Sequence, residues 1–417
     1  MKFLVKSERI YTERGCINGG FLVEDGKIRA IYTKENMPVT EEIAVRDYAD
    51  TRIIPGIIEM HVHGYKGWHA MSPDKEEIKK LGRALTTCGV TAFLPTNHLT
   101  PQLLENTAAI ADACKEPREG ARILGIHMEG PFISPKVLGS VNPSEICAPD
   151  LNLMKKWVEV SDHHIVTVTM APEIPGNLEI IDYLVQSGVN PCIGHSWATY
   201  EECERAIDRG AVITQKTGNC MRMIHQREVG VVGAALLDKR IFNELNSDCA
   251  HTSAEFLRIC YEMKGPERLC LVADAGKMSG LKTGLYHLPA DNECGYEKYE
   301  VGTDGLLHIA DGTIDGSALH ILYGIQNWVE RLGIPMEEAV RMASLNPAKV
   351  CRVSGKKGSI KEHKDADYVV IGDDYQVVET VVEGVTEYTA NIGCGYDNPA
   401  CYDYLVEEYT ALSVPLN

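Results

Sequence analysis

The sequence predicts an α/β protein: a closed (β/α)8 TIM-like barrel with a small β-sandwich domain built from both termini. Three observations predict it. Short apolar runs alternate with amphipathic helical stretches from about residue 53 to residue 274, the signature of a parallel sheet. There are eight such runs, enough to close a barrel. The chain before them and the chain after about residue 353 instead read as short strands and turns.

The first strands appear in "GGFLVEDGKIRAIYT", which alternates apolar and polar residues around the hairpin signal Asp25-Gly26. From "IIPGIIEMHVH" the texture changes. That run leads into a helix over 74–88, and "VTAFLPT" into one over 103–114. "RILGIHMEG" follows, then "HIVTVTMAPE" with a helix over 178–186, and "NPCIGHS" with one over 200–209. "GAVITQK", "RIFNELNSD" with a helix over 253–263, and "RLCLVADA" complete the eight. A Gly-rich stretch after Asp274 reads as hairpins inserted in the last strand-to-helix connection. Helices over about 317–331 and 335–345 precede the return to short strands. The expected division is 1–52 with 353–391 for the β-domain, 53–352 for the barrel, and an aromatic, cysteine-rich tail, 392–417, without an assigned role.

The formal net charge of −18 over 417 residues disfavours nucleic acid and anionic membranes as partners, since both repel it. A small anion needs only a local basic pocket and stays possible. "MKFLVKSERIYTERG" lacks the apolar core of a signal peptide, and no run approaches the length of a membrane helix. The fourteen cysteines form no CxxC pair, so reduced thiols in a cytoplasmic protein are the expectation.

Chemistry in such a barrel gathers at the C-terminal ends of the strands. The first strand ends in His61-Val-His63, and residues two apart share a face. The third ends in Glu129, the fifth in His195, the sixth in Lys216 and the eighth in Asp274, while His251 follows the seventh. Each has a bland reading alone: a chance HxH, a helix cap, a satisfied core histidine. At one end of successive strands, three histidines and two carboxylates instead suit a divalent metal such as zinc. Such an ion acidifies its water while a neighbouring carboxylate moves the proton.

The stretches "IIPGIIEMHVHG", "GIHMEGPFISPK", "IGHSWA", "NCMRMIHQREVGVVGAAL", "LVADA", "DGTIDGSAL", "EEAVRMASLNPAKV" and "KKGSIKEHKDADYVVI" together resemble, in order, the motifs of the N-acetylglucosamine-6-phosphate deacetylases of the amidohydrolase superfamily. The resemblance spans about residues 50–372. It implies a metal-dependent hydrolase, usually a homodimer, that removes acetate from an amino-sugar 6-phosphate. By the same resemblance His61, His63, Glu129 and His195 match metal ligands and Asp274 the catalytic acid/base. Asn219, the backbone at Cys220, His251 and Arg227 match sugar-phosphate contacts, the arginine reaching across the dimer. The alternatives are an amidohydrolase acting on a different amide, and a deacetylase-like protein that binds a sugar phosphate without turnover.

Two positions depart from the family pattern. Where it reads GAxxxTHxxNAM this chain reads "GAVITQKTGNCM", which puts Lys216 in place of a ligand histidine; one inserted residue would put Gln215 there instead. Where it reads GAHNP this chain reads "GSVNP", so Val141 replaces a histidine that polarises the substrate carbonyl. A protonated lysine has no lone pair for a metal. Lys216 therefore stands for an ammonium that replaces one of two ions and assists catalysis, for a carbamylated bridge, or for a site that has lost its activity. The first reading carries one metal ion rather than two.

Overall fold

The computed structural model describes residues 1–39, 43–290, 296–390 and 396–409. Parts of the Gly-rich insertion (291–295) and of the tail (391–395, 410–417) lie outside the described residues.

The eight barrel strands are Ile57–Val62, Val90–Asn97, Ile126–Glu129, Ile165–Met170, Asn190–Ile193, Ile213–Thr214, Phe242–Asn246 and Leu269–Val272. They run parallel and pair in chain order. The seam between first and eighth is closed by a Val62–Ala275 bridge, with the His63 N–H donating to the Ala275 carbonyl at 2.8 Å. The buried Glu59 carboxylate also spans the seam, accepting from the backbone of Ala273 at 2.9 Å and of His61 at 3.1 Å.

The helices between strands start where capping residues stop the preceding loop. Asp74 accepts from the Glu76 N–H at the head of Lys75–Thr86, and Thr199 with Glu202 forms a capping box on Tyr200–Asp208. Two of the helices that follow barrel strands escaped the sequence reading. Leu151–Val160 is capped by Asp150. Gly230–Leu237 is apolar all round and nearly all buried, so it carries no periodic stripe to find. A helix at 317–331 was expected; the helical turns begin only at Ile321, because Ile314–Ser317 is a strand. Below the site, Ile58, Met60, Leu94 and Val272 fill the barrel and meet the helix Leu345–Val350.

The second sheet has eight strands, five from residues 2–55 and three from 368–389. Phe21 and Tyr368 lie on strands three apart in it, yet their rings meet edge-on at 5.3 Å. A flat sheet would hold such strands about 14 Å apart, so the sheet folds over its own core. The chain leaves it after Arg52–Pro55 and enters the barrel at Ile57. Gly56 makes the turn possible: a Cβ there would lie 2.1 Å from the Thr91 hydroxyl.

The insertion after Asp274 forms a five-stranded antiparallel sheet at the barrel mouth. Its fifth strand, Leu405–Glu408, comes from the C-terminal tail. The tail also docks on the loop just after His63. The Asn398 N–H donates to the Lys66 carbonyl at 2.8 Å, and the Trp68 indole donates to the Tyr396 carbonyl at 2.9 Å. Among the described residues no helix is long and apolar enough to cross a membrane.

Candidate active site

The strand ends bring His61, His63, Glu129, His195, Lys216 and Asp274 together. Three of these strand ends turn on a non-glycine residue in left-handed backbone: His195 at φ 44°, Lys216 at φ 41° and Asp274 at φ 59°. Such conformations are unfavourable and persist where packing enforces them, which is common at functional sites.

His61, His63 and Asp274 offer ligand atoms within 4.8 Å of one another. The His61 and His63 Nε2 atoms are 3.2 Å apart, and Asp274 Oδ1 lies 3.2 Å from the first and 3.6 Å from the second. Glu129 Oε2 joins them at 3.6 and 3.1 Å. Ligand atoms of a tetrahedral zinc, with bonds near 2.0–2.1 Å, sit roughly 3.3 Å from each other. His61, His63 and Asp274 therefore fit a divalent ion, with Glu129 beside the two imidazoles. Glu244 holds His61 Nδ1 at 2.7 Å, which turns Nε2 inward, as a carboxylate behind a ligand histidine does.

The other oxygen of Glu129 faces a second group. Oε1 meets His195 Nε2 at 3.1 Å, the Gln215 amide at 2.7 Å and Lys216 Nζ at 2.8 Å. Lys216 Nζ also lies 3.4 Å from Asp274 Oδ2. Lys216 and Gln215 thus both face the site, and the ammonium lies between Glu129 and Asp274. Burial works against its charge, but Asp274 and Glu129 outweigh burial and hold its pKa above the usual lysine value. The same ammonium, with His61, holds Glu129 and Asp274 ionised despite their burial. Burial opposes charge on His61 as well; Asp274, Glu244 and Glu129 raise it to about 10.

His63, Glu129, His195, Lys216 and Asp274 line a cavity of about 410 Å³, within the range of small-molecule sites. Asn219, Cys220 and His251 line it too. His251 is oriented by Asp248, 2.6 Å from its Nδ1. Val141 lines it as an apolar residue. Arg227 is not brought to the cavity within one chain; it is exposed on a loop beside the exposed Met223 and Ile224.

Sequence reasoning passed over Gln215 as a contact in its own right, together with Glu244, Asn246 and Asp315. Glu244 and Asn246 were visible as polar residues in a strand that is buried after its first residue; Asn246 donates to Asp274 Oδ2 at 3.2 Å. Asp315 entered from the inserted sheet, whose placement no strand-end pattern gives. Burial, with Asp274 and Glu129 nearby, raises its carboxyl to about 7 against the pull of the Ser140 side chain and Lys216.

The amidohydrolase family matches residues 52–386. The chain is 33% identical over 387 residues to the N-acetylgalactosamine-6-phosphate deacetylase of Escherichia coli O157:H7, covering 92% of this chain and 99% of that one. The chain belongs to the amidohydrolase family.

Several of its relatives there are deacetylases. It is 32% identical over 389 residues to the N-acetylglucosamine-6-phosphate deacetylase of Bacillus subtilis, covering 91% of this chain and 96% of that one. Among solved structures, the N-acetylglucosamine-6-phosphate deacetylase of Pasteurella multocida superposes with a TM-score of 0.85 at 27% identity, covering 93% of this chain and 99% of that one. The barrel of this amidohydrolase, and the separate sheet beside it, are the architecture those structures share.

Proposed function

We propose that this amidohydrolase removes the N-acetyl group from an amino-sugar 6-phosphate, N-acetylglucosamine 6-phosphate in the first instance. The observation that carries the reading is the cluster of His61, His63 and Asp274 at the barrel mouth, with Glu129 reaching both imidazoles. The curated relatives bear the name of this activity in the galacto and gluco series. A Mycobacterium smegmatis relative of known structure, 26% identical with a TM-score of 0.84, is a mutant in complex with N-acetyl-D-glucosamine-6-phosphate.

His61, His63, Glu129 and Asp274 would hold one divalent ion, zinc by the chemistry of the donors. When bound, such an ion lowers the pKa of water and polarises an amide carbonyl. Asp274, kept ionised by Lys216 and the histidines, accepts the proton of the attacking water. It then delivers that proton to the nitrogen as the carbon–nitrogen bond breaks, leaving acetate and the amino sugar. Lys216 directs a fixed positive charge at the carbonyl oxygen, the task left open by Val141. His195 is held by Glu129 and by the Val137 carbonyl, 3.1 Å from its Nδ1.

Asn219, the Cys220 backbone and His251 receive the sugar phosphate. Arg227 completes that grip from a second copy of the chain, supplying the forked donor that phosphate favours. The exposure of Met223 (47%) and Ile224 (54%) beside it supports a covered interface there. A cytoplasmic location accords with the free thiols of the described cysteines.

The test is acetate release from N-acetylglucosamine 6-phosphate and its galacto isomer, with and without added zinc. Metal-stimulated release is expected, and Asp274→Asn should lower it by about 10²–10⁴-fold while ligand still binds. An inert protein that is nonetheless stabilised by the phosphosugar would favour the binding role; turnover of another amide, insensitive to phosphate, would favour a different substrate.

A further inference from the structure

One carboxylate in the cavity has no task in the reading above. Asp315 comes from the strand Ile314–Ser317 of the inserted sheet and lines the same cavity as the cluster. Its strand is laid directly on the catalytic residue. The Ser317 N–H donates to the Asp274 carbonyl at 2.9 Å, and Ala275 and Ser317 pair as a parallel bridge. Between Asp315 and Ser317, Gly316 sits at φ +126°, where a Cβ would come within 2.8 Å of the Asp274 carbonyl oxygen. Any side chain at 316 would lift the strand away, so the glycine keeps Asp315 beside Asp274. On the other side the Ser140 side chain hydrogen-bonds to the carboxylate. The Ser140 carbonyl in turn accepts from the Tyr296 hydroxyl at 2.6 Å, tying this loop to the insertion.

A carboxylate facing a cavity is best satisfied by a ligand that donates hydrogen bonds. Besides burial, Asp274 and Glu129 nearby raise the Asp315 carboxyl, so this wall disfavours a phosphate. The scissile nitrogen is served by Asp274. On the deacetylase reading, the donors next to the acetamide are the ring hydroxyls on the two adjoining carbons. We infer that Asp315, braced by Ser140, is a specificity-determining residue that accepts a hydrogen bond from a ring hydroxyl adjacent to the acetamido carbon. The inference rests on the deacetylase reading and names the part of that substrate which this wall recognises.

Calorimetric binding of N-acetylglucosamine 6-phosphate to the zinc-loaded Asp274→Asn protein tests it, with and without Asp315→Leu. The comparison ligands lack either the hydroxyl on carbon 1 or that on carbon 3. With Asp315 present, one of the two deletions should weaken binding about 10–100-fold; with Asp315→Leu the same deletion should cost little. Asp315→Asn, which keeps an acceptor oxygen and serves if the leucine variant fails to fold, should show an intermediate loss. Equal losses with and without Asp315, or no loss from either deletion, overturn the role of Asp315 alone. Absence of both turnover and binding in the unmutated protein overturns the deacetylase reading and this inference with it.

Discussion

Lys216 sits where the two halves of the cluster meet, 2.8 Å from Glu129 and 3.4 Å from Asp274. An ammonium there does two things a neutral group cannot: it keeps both carboxylates ionised and it presents fixed positive charge to the cavity. Lys216→Met should therefore lower kcat by about 10²–10³-fold, the usual consequence of losing one charge-stabilising donor. Lys216→His would give Glu129 Oε1 and His195 a third partner able to ligate. Metal analysis should then show bound zinc rising from one ion per chain towards two; a stoichiometry that stays at one would mean that the lysine is not what excludes the second ion. At this scale the sequence was largely legible, because HxH, Glu129, His195, Lys216 and Asp274 each close a strand of a recognisable series. Asp315 was not, since its nearness to Asp274 depends on a bridge between segments some forty residues apart in the chain.

At the level of elements, periodicity found most of the amphipathic helices to within a residue or two but passed over Leu151–Val160, and it missed Gly230–Leu237, where burial on every side erases the pattern. The tail was opaque for another reason: its strand has meaning only beside Gly284–His287. The tail's contacts with the loop after His63 are close. A Cβ on Gly67 would approach both Asn398 Cβ and Cys401 Sγ within 2.7 Å, and the Lys66 ammonium pairs with Asp397 at 2.9 Å. His69, at the end of that loop, lines the cavity. Ending the chain at Ala390 should speed amide exchange across residues 64–69 and raise KM for the phosphosugar several-fold more than it lowers kcat. Unchanged exchange in that loop would show that the tail is a passenger.

Over the whole molecule, the two sheets are joined by a partly buried ionic seam. Glu383, from the outer sheet, pairs with Arg122 of the barrel at 2.8 Å and with Lys357 at 3.1 Å. Burial works against its charge, yet Arg122 and Lys357 bring its pKa down to about 2. A carboxylate whose folded pKa lies below its unfolded value stabilises the protein at neutral pH, and that contribution fades as pH falls from about 4.5 towards 2. Glu383→Gln should lower the Tm at pH 7 and make its decline below about pH 5 shallower. A parallel decline in the variant would place the acid sensitivity elsewhere. Composition could announce a barrel and a β-rich flank on each side, but the ion pairs that fasten one to the other involve partners as distant in sequence as Arg122 and Glu383.

That closure between chain ends has a consequence for how the protein is made. Strands from the first 55 residues are partnered by strands after residue 367, and Arg9 reaches Asp373, 364 positions later. At roughly 5–20 residues per second, a ribosome exposes the early strands for about 20–70 seconds before their partners emerge. Throughout that interval the N-terminal sheet carries an open edge suited to pairing with a neighbouring nascent chain. The brace on the loop beside His63 is translated after the whole barrel, so a stalled or prematurely released chain could carry a complete barrel with an unfinished rim.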